Sequence, residues 1–242
     1  MIHEPEIHIF ESKKSMIDGF ARLWQDVARK ALIRTGRFTA ALSGGRTPVP
    51  FLEALAERIS ETIWQNTHIF LVDERHVPWS DPDSNYGMIR KALVDKLSIS
   101  DANLHPVPYE ETSRQSAHAY ESGLKRFFRG ADTPVLDLIV LGLGADGHTA
   151  SLFPKDAALK EMVRWVAVAD PNEAPHERIT LTVPVLNAGK NVVFVVEGPD
   201  KSGRVEEIIR KGKKTLPASK IHPRNGRLIW LLDRKAAAYI SE

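Results

Sequence analysis

Short, uninterrupted apolar runs alternate along this chain of 242 residues with segments of helical periodicity. Continuous apolar runs are typical of strands that are buried on both faces of a sheet. A strand–helix repeat favours right-handed crossovers, and it therefore predicts a three-layer α/β fold with a mostly parallel sheet and helices on both faces. The predicted strands are Phe38–Leu42, Ile69–Val72, Leu138–Leu141, Trp165–Val168, Asn191–Val196 and Leu228–Leu232.

Helical periodicity is clearest near the start of the chain, where Met16, Phe20, Trp24 and Val27 recur at helical spacing and Gly36 ends the segment. Neither a low-complexity linker nor an internal repeat divides the sequence, so we expect a single α/β domain over residues 1–242. Further helices are predicted at Pro48–Ile59, Asn85–Leu97, Ser113–Phe128, Asp200–Lys211 and Arg234–Ile240.

Composition limits the classes of partner. The formal net charge is only +2, and Lys and Arg are scattered, so the basic stripe of a nucleic-acid-binding protein is missing and a small anionic ligand is favoured. The absence of cysteine excludes disulfides and thiolate zinc sites and is compatible with a reducing, cytoplasmic location. No apolar run approaches membrane-spanning length, so no membrane partner is expected.

A carboxylate and an imidazole, Asp146 and His148, stand two positions apart on a glycine-rich turn that follows the predicted strand Leu138–Leu141. Loops at strand ends are where α/β proteins commonly carry out chemistry. Histidine has an unperturbed pKa that suits a general base near neutral pH. We therefore expect His148 to be catalytic, although a lone histidine is more often structural.

The same turn, Gly142–Gly147, also fits the dinucleotide-binding pattern G-x-G-x-x-G, with Asp170 downstream. Two features disfavour that interpretation. Asp146 would place a negative charge where a pyrophosphate must lie, and Pro154 interrupts the helix that should follow Gly147.

A second glycine turn, Ser43–Pro48, follows the first predicted strand. Gly44 and Gly45 allow backbone amides to approach an anion, and Arg46 adds a charge. Thr47 is expected to cap the next helix, with Pro48 in its first turn. The segment predicts either a phosphate site or an ordinary glycine turn before a capped helix. The Walker A pattern is absent.

A third polar segment, Asp73-Glu74-Arg75-His76, comes directly after the predicted strand Ile69–Val72. Arg75 can neutralise anionic charge, whereas an internal ion pair is the favoured interpretation for Glu74. Ser84-Asn85 is expected to cap a helix.

These segments, in this order, resemble the 6-phosphogluconolactonases, which share an isomerase/lactonase/CoA-transferase-like, Rossmann-like fold with the glucosamine-6-phosphate isomerases. The resemblance rests on LSGGRTP at Leu42–Pro48, VDERHVPWSDPDSNYGMIRKAL at Val72–Leu93 and VLGLGADGHTASLFP at Val140–Pro154. Weaker similarity continues at Arg178–Asn187 and Glu197–Ile209.

The resemblance implies a hydrolase that opens a sugar-phosphate lactone without cofactor or metal, as a monomer or small homo-oligomer. It assigns His148 as the general base on water and Asp146 and Arg75 as further catalytic residues. The implied substrate- and phosphate-binding residues are Ser43, Gly44, Gly45, Arg46, Thr47, Asp73, Asn85, Gly144, Gly147, Arg178 and Lys201.

Two other functions are considered. An aldose–ketose isomerase of this fold is disfavoured because Phe153 stands where those enzymes have a glutamate that assists the histidine. A sugar-phosphate sensor without turnover is disfavoured because His148 is present and the segment before the first predicted strand is too short for a DNA-binding helix-turn-helix.

Overall fold

The computed structural model describes residues 4–171 and 175–240. Its strands in chain order are β1 Glu6–Phe10, β2 Phe38–Leu42, β3 Thr67–Leu71, β4 Asp73–Arg75, β5 Leu104–His105, β6 Leu138–Leu141, β7 Val166–Ala169, β8 Arg178–Leu181, β9 Asn191–Val196 and β10 Arg227–Asp233. Seven of them form one sheet in the order β1-β10-β9-β6-β2-β3-β5, and every pairing in it is parallel. Helices lie on both sides of this sheet, which confirms the predicted fold class.

A smaller antiparallel sheet, in the order β4-β8-β7, lies beside the main one. The prediction for Trp165–Val168 was right about a strand, which is β7, but wrong about its place in the parallel sheet. Neither β4 nor β8 was predicted. β4 is short and consists of Asp-Glu-Arg, which carries no apolar pattern.

The α-helices are α1 Lys13–Thr35, α2 Val49–Arg58, α3 Glu61–Trp64, α4 Asn85–Ala92, α5 Ser113–Phe127, α6 Val183–Ala188 and α7 Ser202–Ile209. The predicted helix Asn85–Leu97 ends earlier, at Ala92, and a 3₁₀ turn follows at Val94–Lys96. The prediction of a helix at Arg234–Ile240 was wrong, because the chain there forms consecutive turns after β10.

Helix α1 begins and ends as its sequence predicts. Ser12 and Ser15 form a capping box at its start, and Gly36 ends it with φ of 71°, a conformation that favours glycine. Trp24 on α1 is fully buried and packs edge-on against Phe38 of β2 and beside Trp64, with ring centroids 5.1 and 5.5 Å apart. Such aromatic contacts anchor the helix to the sheet.

Parallel pairing brings the carboxyl ends of β2, β3, β6 and β9 to the same edge of the main sheet. The segments that follow these strands therefore meet there, as is usual for ligand sites in parallel α/β sheets. None of the helices among the described residues is long and apolar enough to span a membrane.

Candidate active site

A cleft of about 240 Å³ opens at this edge of the sheet. Segments after β2, β3, β6 and β9 line it, together with the start of α4. Of the residues that the sequence analysis selected, the cleft lining contains Ser43, Gly44, Gly45, Arg46, Thr47, Asp73, Arg75, Asn85, Gly144, His148 and Lys201. Asp146, Gly147 and Arg178 are not part of the lining.

His148 is held by the aspartate two residues before it. Its Nδ1 lies 2.6 Å from Asp146 Oδ1, and the same oxygen accepts the His148 backbone N–H at 3.1 Å. A carboxylate beside Nδ1 favours the tautomer with the proton on Nδ1. Nε2 then carries a lone pair, and no hydrogen bond joins it to another described residue. The ring is a third exposed and lines the cleft, so it can take a proton from a bound molecule.

The same contacts stabilise the ionised form of Asp146. Partial burial alone would raise its pKa, but the His148 backbone hydrogen bond and the attraction of the His148 ring outweigh burial and lower the pKa. Asp146 therefore stays ionised at neutral pH and orients the imidazole from outside the cleft lining.

Glycine is required beside the imidazole. A Cβ on Gly144 would lie 2.1 Å from His148 Nδ1, and the Gly144 N–H donates to His148 O at 2.8 Å. Gly147 has φ of 87°, and a Cβ there would lie 2.9 Å from Leu216. Gly147 thus shapes the turn, while its predicted contact with substrate stays a prediction.

Contacts from the following loop and helix fix the outer side of the turn. Ala218 donates its backbone N–H to Gly147 O at 3.0 Å, and Arg204 Nε on α7 donates to Ala145 O at 2.9 Å. Arg204 is in turn paired with Glu207. Sequence reasoning missed Arg204 and Leu216, since they follow the turn by many residues and carry no local signal.

No helix follows Gly147. The chain instead makes a tight turn closed by a bridge between Thr149 and Leu152, with Ala150 at φ of 52°. A dinucleotide site needs a helix N-terminus at that point to hold the pyrophosphate. The G-x-G-x-x-G pattern is therefore present without the helix that a dinucleotide-binding site requires.

The glycine turn after β2 leads into α2. Gly45 has φ of 98°, and a Cβ on Gly44 would overlap the Asn85 side chain. The prediction that Thr47 caps α2 was wrong, because Pro48 takes the N-cap position and no side chain accepts a hydrogen bond there. Pro48 and Pro50 have no N–H, so the start of α2 offers few free amides. The Arg46 side chain and the buried Ser43 Oγ, which has no hydrogen-bond partner among the described residues, favour an anion at this end of the cleft.

Glu74 is internal, as predicted, but it is not an ion pair. This buried carboxyl accepts backbone N–H groups of Arg75, Asn85 and Tyr86 at 2.7–2.8 Å and the Ser84 hydroxyl at 3.1 Å. It therefore holds the start of α4 against β4. Burial raises its pKa in spite of these hydrogen bonds. Ser84 caps α4 as expected, and Asn85 Nδ2 donates to Asp73 O at 2.8 Å.

Two arginines flank the cleft on neighbouring strands. Arg75 of β4 and Arg178 of β8 are direct partners in the antiparallel register. Arg178 is 9% exposed, and its Nη1 is buried without a hydrogen-bond partner. Burial and the charge of Arg75 lower the Arg178 pKa, although Asp73, Asp83 and Glu74 oppose this. Arg178 is not part of the cleft lining, so its contact with a phosphate stays a prediction.

The cleft carries more positive than negative side chains. Arg46, Arg75 and Lys201 line it, opposed by Asp73 and Glu197. Glu197 is paired with Lys13 at 3.2 Å, and Lys201 lies 3.0 Å from Asp200, which is outside the lining. An anionic ligand therefore suits this cleft.

The fold and the cleft together define a class: a three-layer α/β protein whose site is built from strand-end loops, with a histidine–aspartate pair beside a cationic glycine turn. The family model described as glucosamine-6-phosphate isomerases/6-phosphogluconolactonase matches residues 11–230. The chain belongs to this family, as its motifs predicted.

Individual relatives agree along almost the whole chain. A 6-phosphogluconolactonase of Synechocystis sp. is 40% identical, with 96% of this chain and 97% of that protein covered. A 6-phosphogluconolactonase of Rattus norvegicus is 36% identical, with 97% and 93% covered. The solved 6-phosphogluconolactonase of Trypanosoma brucei superposes with a TM-score of 0.89 at 28% identity, covering 98% of this chain and 99% of that one.

Proposed function

We propose that this protein is a 6-phosphogluconolactonase of the oxidative pentose phosphate pathway, which hydrolyses 6-phospho-D-glucono-1,5-lactone to 6-phospho-D-gluconate. The observation that carries the proposal is the oriented imidazole of His148 in a cleft that also contains Arg46, Arg75 and Lys201. The names of the relatives at 40% and 36% identity support the same reaction.

His148 acts as the general base in this proposal. Its Nε2 takes a proton from a water molecule that attacks C1 of the lactone, and Asp146 stabilises the imidazolium that forms. The proton then passes to the ring oxygen as the tetrahedral intermediate collapses and the C1–O bond breaks. The lactone is an activated ester, so no covalent intermediate and no cofactor is needed.

The phosphate is held at the glycine-turn end of the cleft. A phosphate monoester carries close to two negative charges, and it is matched by several amides and cations rather than by one. We assign the amides of Gly44–Thr47, the Ser43 hydroxyl, Arg46 and Lys201 to the phosphate, with Arg178 adding charge from outside the lining. We assign Arg75 to the oxyanion that develops at C1.

An aldose–ketose isomerase is disfavoured by one contact. Phe153 packs on the imidazole, with ring centroids 4.8 Å apart and planes tilted by 47°. An apolar ring therefore occupies the place beside His148 where isomerisation requires an ionisable partner.

We further propose a single domain over residues 1–242 and, from the absence of cysteine, a cytoplasmic location.

The test generates 6-phosphogluconolactone in situ from glucose 6-phosphate with its dehydrogenase and follows the decay of the lactone against the spontaneous rate. The protein should accelerate decay strongly, and His148→Ala should reduce kcat by about 100-fold or more. His118→Ala, an exposed histidine on α5, is the matched control. Decay at the spontaneous rate with the intact, folded protein would exclude the lactonase function.

A further inference from the structure

Asp73 is a carboxyl of the cleft lining, and only one of its two oxygens is hydrogen-bonded to a described residue. Asp73 is 8% exposed, and its Oδ2 accepts the Ser151 hydroxyl at 2.6 Å. Its Oδ1 forms no hydrogen bond with any described residue, and Asp73 lines the cleft. One carboxyl oxygen is thus fixed by the protein while the other is left for a ligand.

Ser151 is itself buried and hydrogen-bonded to the protein through its backbone. It is 2% exposed and lies three residues after His148, in the tight turn closed by Thr149 and Leu152. Its backbone N–H donates to Thr180 Oγ1 at 3.3 Å. Thr180 is the partner of Asp73 in the β4–β8 register. Ser151 therefore connects the turn of His148 to the strand pair that carries Asp73.

The surroundings of Asp73 explain why a hydroxyl donor is needed there. Burial raises its pKa, and the Ser151 hydrogen bond and the charges of Arg75, His148 and Arg178 offset only part of that rise. The Tyr120 hydroxyl on α5 is bound to the backbone of Leu71, two residues before Asp73, and Glu74 is the next residue of β4. The Ser151 hydrogen bond therefore favours the ionised form of this buried carboxyl.

We propose that Ser151 is a positioning residue, whose hydroxyl fixes Asp73 so that Asp73 Oδ1 accepts a hydrogen bond from a hydroxyl of the sugar lactone. The inference rests on the proposed lactonase function and adds a residue to its site. A carboxylate accepts but does not donate, so this end of the cleft recognises the polyol and not the phosphate.

A double-mutant cycle tests the link. Ser151→Ala should lower kcat/KM by about 10- to 100-fold, the loss expected for a hydrogen bond to a charged group. Ser151→Ala in the background of Asp73→Asn should have little further effect, because Ser151 acts through Asp73. Losses that multiply independently would overturn the inference, as would a Ser151→Ala variant with unchanged kcat/KM.

Ser116→Ala is the matched control, since Ser116 on α5 is also buried but its hydroxyl accepts the backbone N–H of Glu110. It should leave kcat/KM unchanged. Ser151→Thr, which keeps the hydroxyl, should retain most of the activity. Thermal unfolding of each variant separates a loss of folded protein from a loss of positioning.

A titration that does not depend on turnover keeps this inference separate from the proposed function. The ¹³C carboxyl resonance of Asp73, assigned with Asp73→Asn, should titrate at higher pH in Ser151→Ala than in the unmodified protein, and Ser116→Ala should not shift it. An unshifted titration would overturn the inference whatever the hydrolysis assay gives. A shifted titration without lactone hydrolysis would remove the proposed function and leave the Ser151–Asp73 link standing.

Discussion

Arg75 and Arg178 face each other across the β4–β8 pair, and no carboxylate forms a salt bridge with either among the described residues. Like charges directly opposite on neighbouring strands are destabilising unless an anion lies near them. We interpret the pair as a place where the free protein carries an excess of positive charge that the anionic substrate relieves.

Replacing Arg178 should therefore weaken binding more than chemistry. Arg178→Met is expected to raise KM for the lactone by about 10-fold with kcat changed little, because one charge-assisted interaction is lost away from the reacting carbon. Steady-state kinetics and calorimetry with 6-phosphogluconate measure the two effects. Arg114→Met, an exposed arginine on α5, is the control. A fall in kcat at constant KM would contradict this role.

Replacing Asp146 should impair the chemical step more than substrate binding. Asp146→Asn keeps the shape but removes the charge that orients His148, so kcat should fall by about 10- to 100-fold while KM changes little. Since the pKa of Asp146 is lowered, its carboxylate should support activity at all pH values above the usual aspartate range and fail only as pH falls through the lowered pKa. Asp132→Asn, at an exposed loop position, is the matched control; equal kcat in both variants would exclude the orienting role.

Gly144 tests the packing of the turn against the imidazole. Gly144→Ala should reduce kcat by about 100-fold, because the added methyl occupies space now filled by the His148 ring and displaces it. Gly123→Ala on α5, where only the end of an arginine side chain lies near the added carbon, should leave kcat unchanged. A fully active Gly144→Ala variant would show that the ring does not need its present position.

A pair of histidines away from the cleft should make stability depend on pH. His68 of β3 and His105 of β5 lie 3.1 Å apart between Nδ1 and Nε2, stacked among Phe70 and Phe127. Burial, then the charge of His68, lowers the pKa of His105 to about 4; burial, then Arg37, lowers that of His68. Below about pH 6.5 the unfolded chain therefore binds protons on these two histidines, whereas the native state binds them only at lower pH.

The free energy of unfolding should thus fall as pH drops from about 6.5 to 4. Both rings are partly exposed, so we expect about 2 kcal/mol from this pair, less than the full shift of His105 would give. Urea unfolding at a series of pH values measures the slope. His105→Phe, which keeps a ring beside Phe70, should reduce it, and His118→Gln on the surface of α5 should not. A slope unchanged by His105→Phe would assign the acid sensitivity to other groups.

The sequence predicted most of the main sheet because its central strands are long apolar runs. The bounds of β2, β6 and β9 agree with the prediction, since nothing in those segments competes with burial on two faces. β4 and β8 were missed because both are short and depend on pairing between distant segments. Asp73–Arg75 pairs with β8, and Arg178–Leu181 pairs with both β4 and β7.

The candidate site likewise contains residues that the sequence predicts and contacts that it does not. Residues directly after buried strands, such as Ser43, Asp73 and His148, were selected because the chain order alone puts them at one edge of a sheet. Contacts between distant segments, such as Ser151 with Asp73 and Arg204 with Ala145, have no local signal. Thr47 was misjudged because the cap of α2 falls one residue later, at Pro48.

The two sheets contribute different kinds of groups to the cleft. The main sheet supplies the glycine turn after β2 and, through the loops after its strands, the side chains of Arg46, His148 and Lys201, whereas β4 of the smaller sheet supplies the side chains of Asp73 and Arg75. Most substitutions near the glycine turn leave its main-chain amides present, whereas a single mutation replaces a side chain and the contact that it makes. We therefore expect that substitution of Asp73 on β4 changes which polyol is recognised, while the glycine turn after β2 keeps its conformation at the charged end of the substrate.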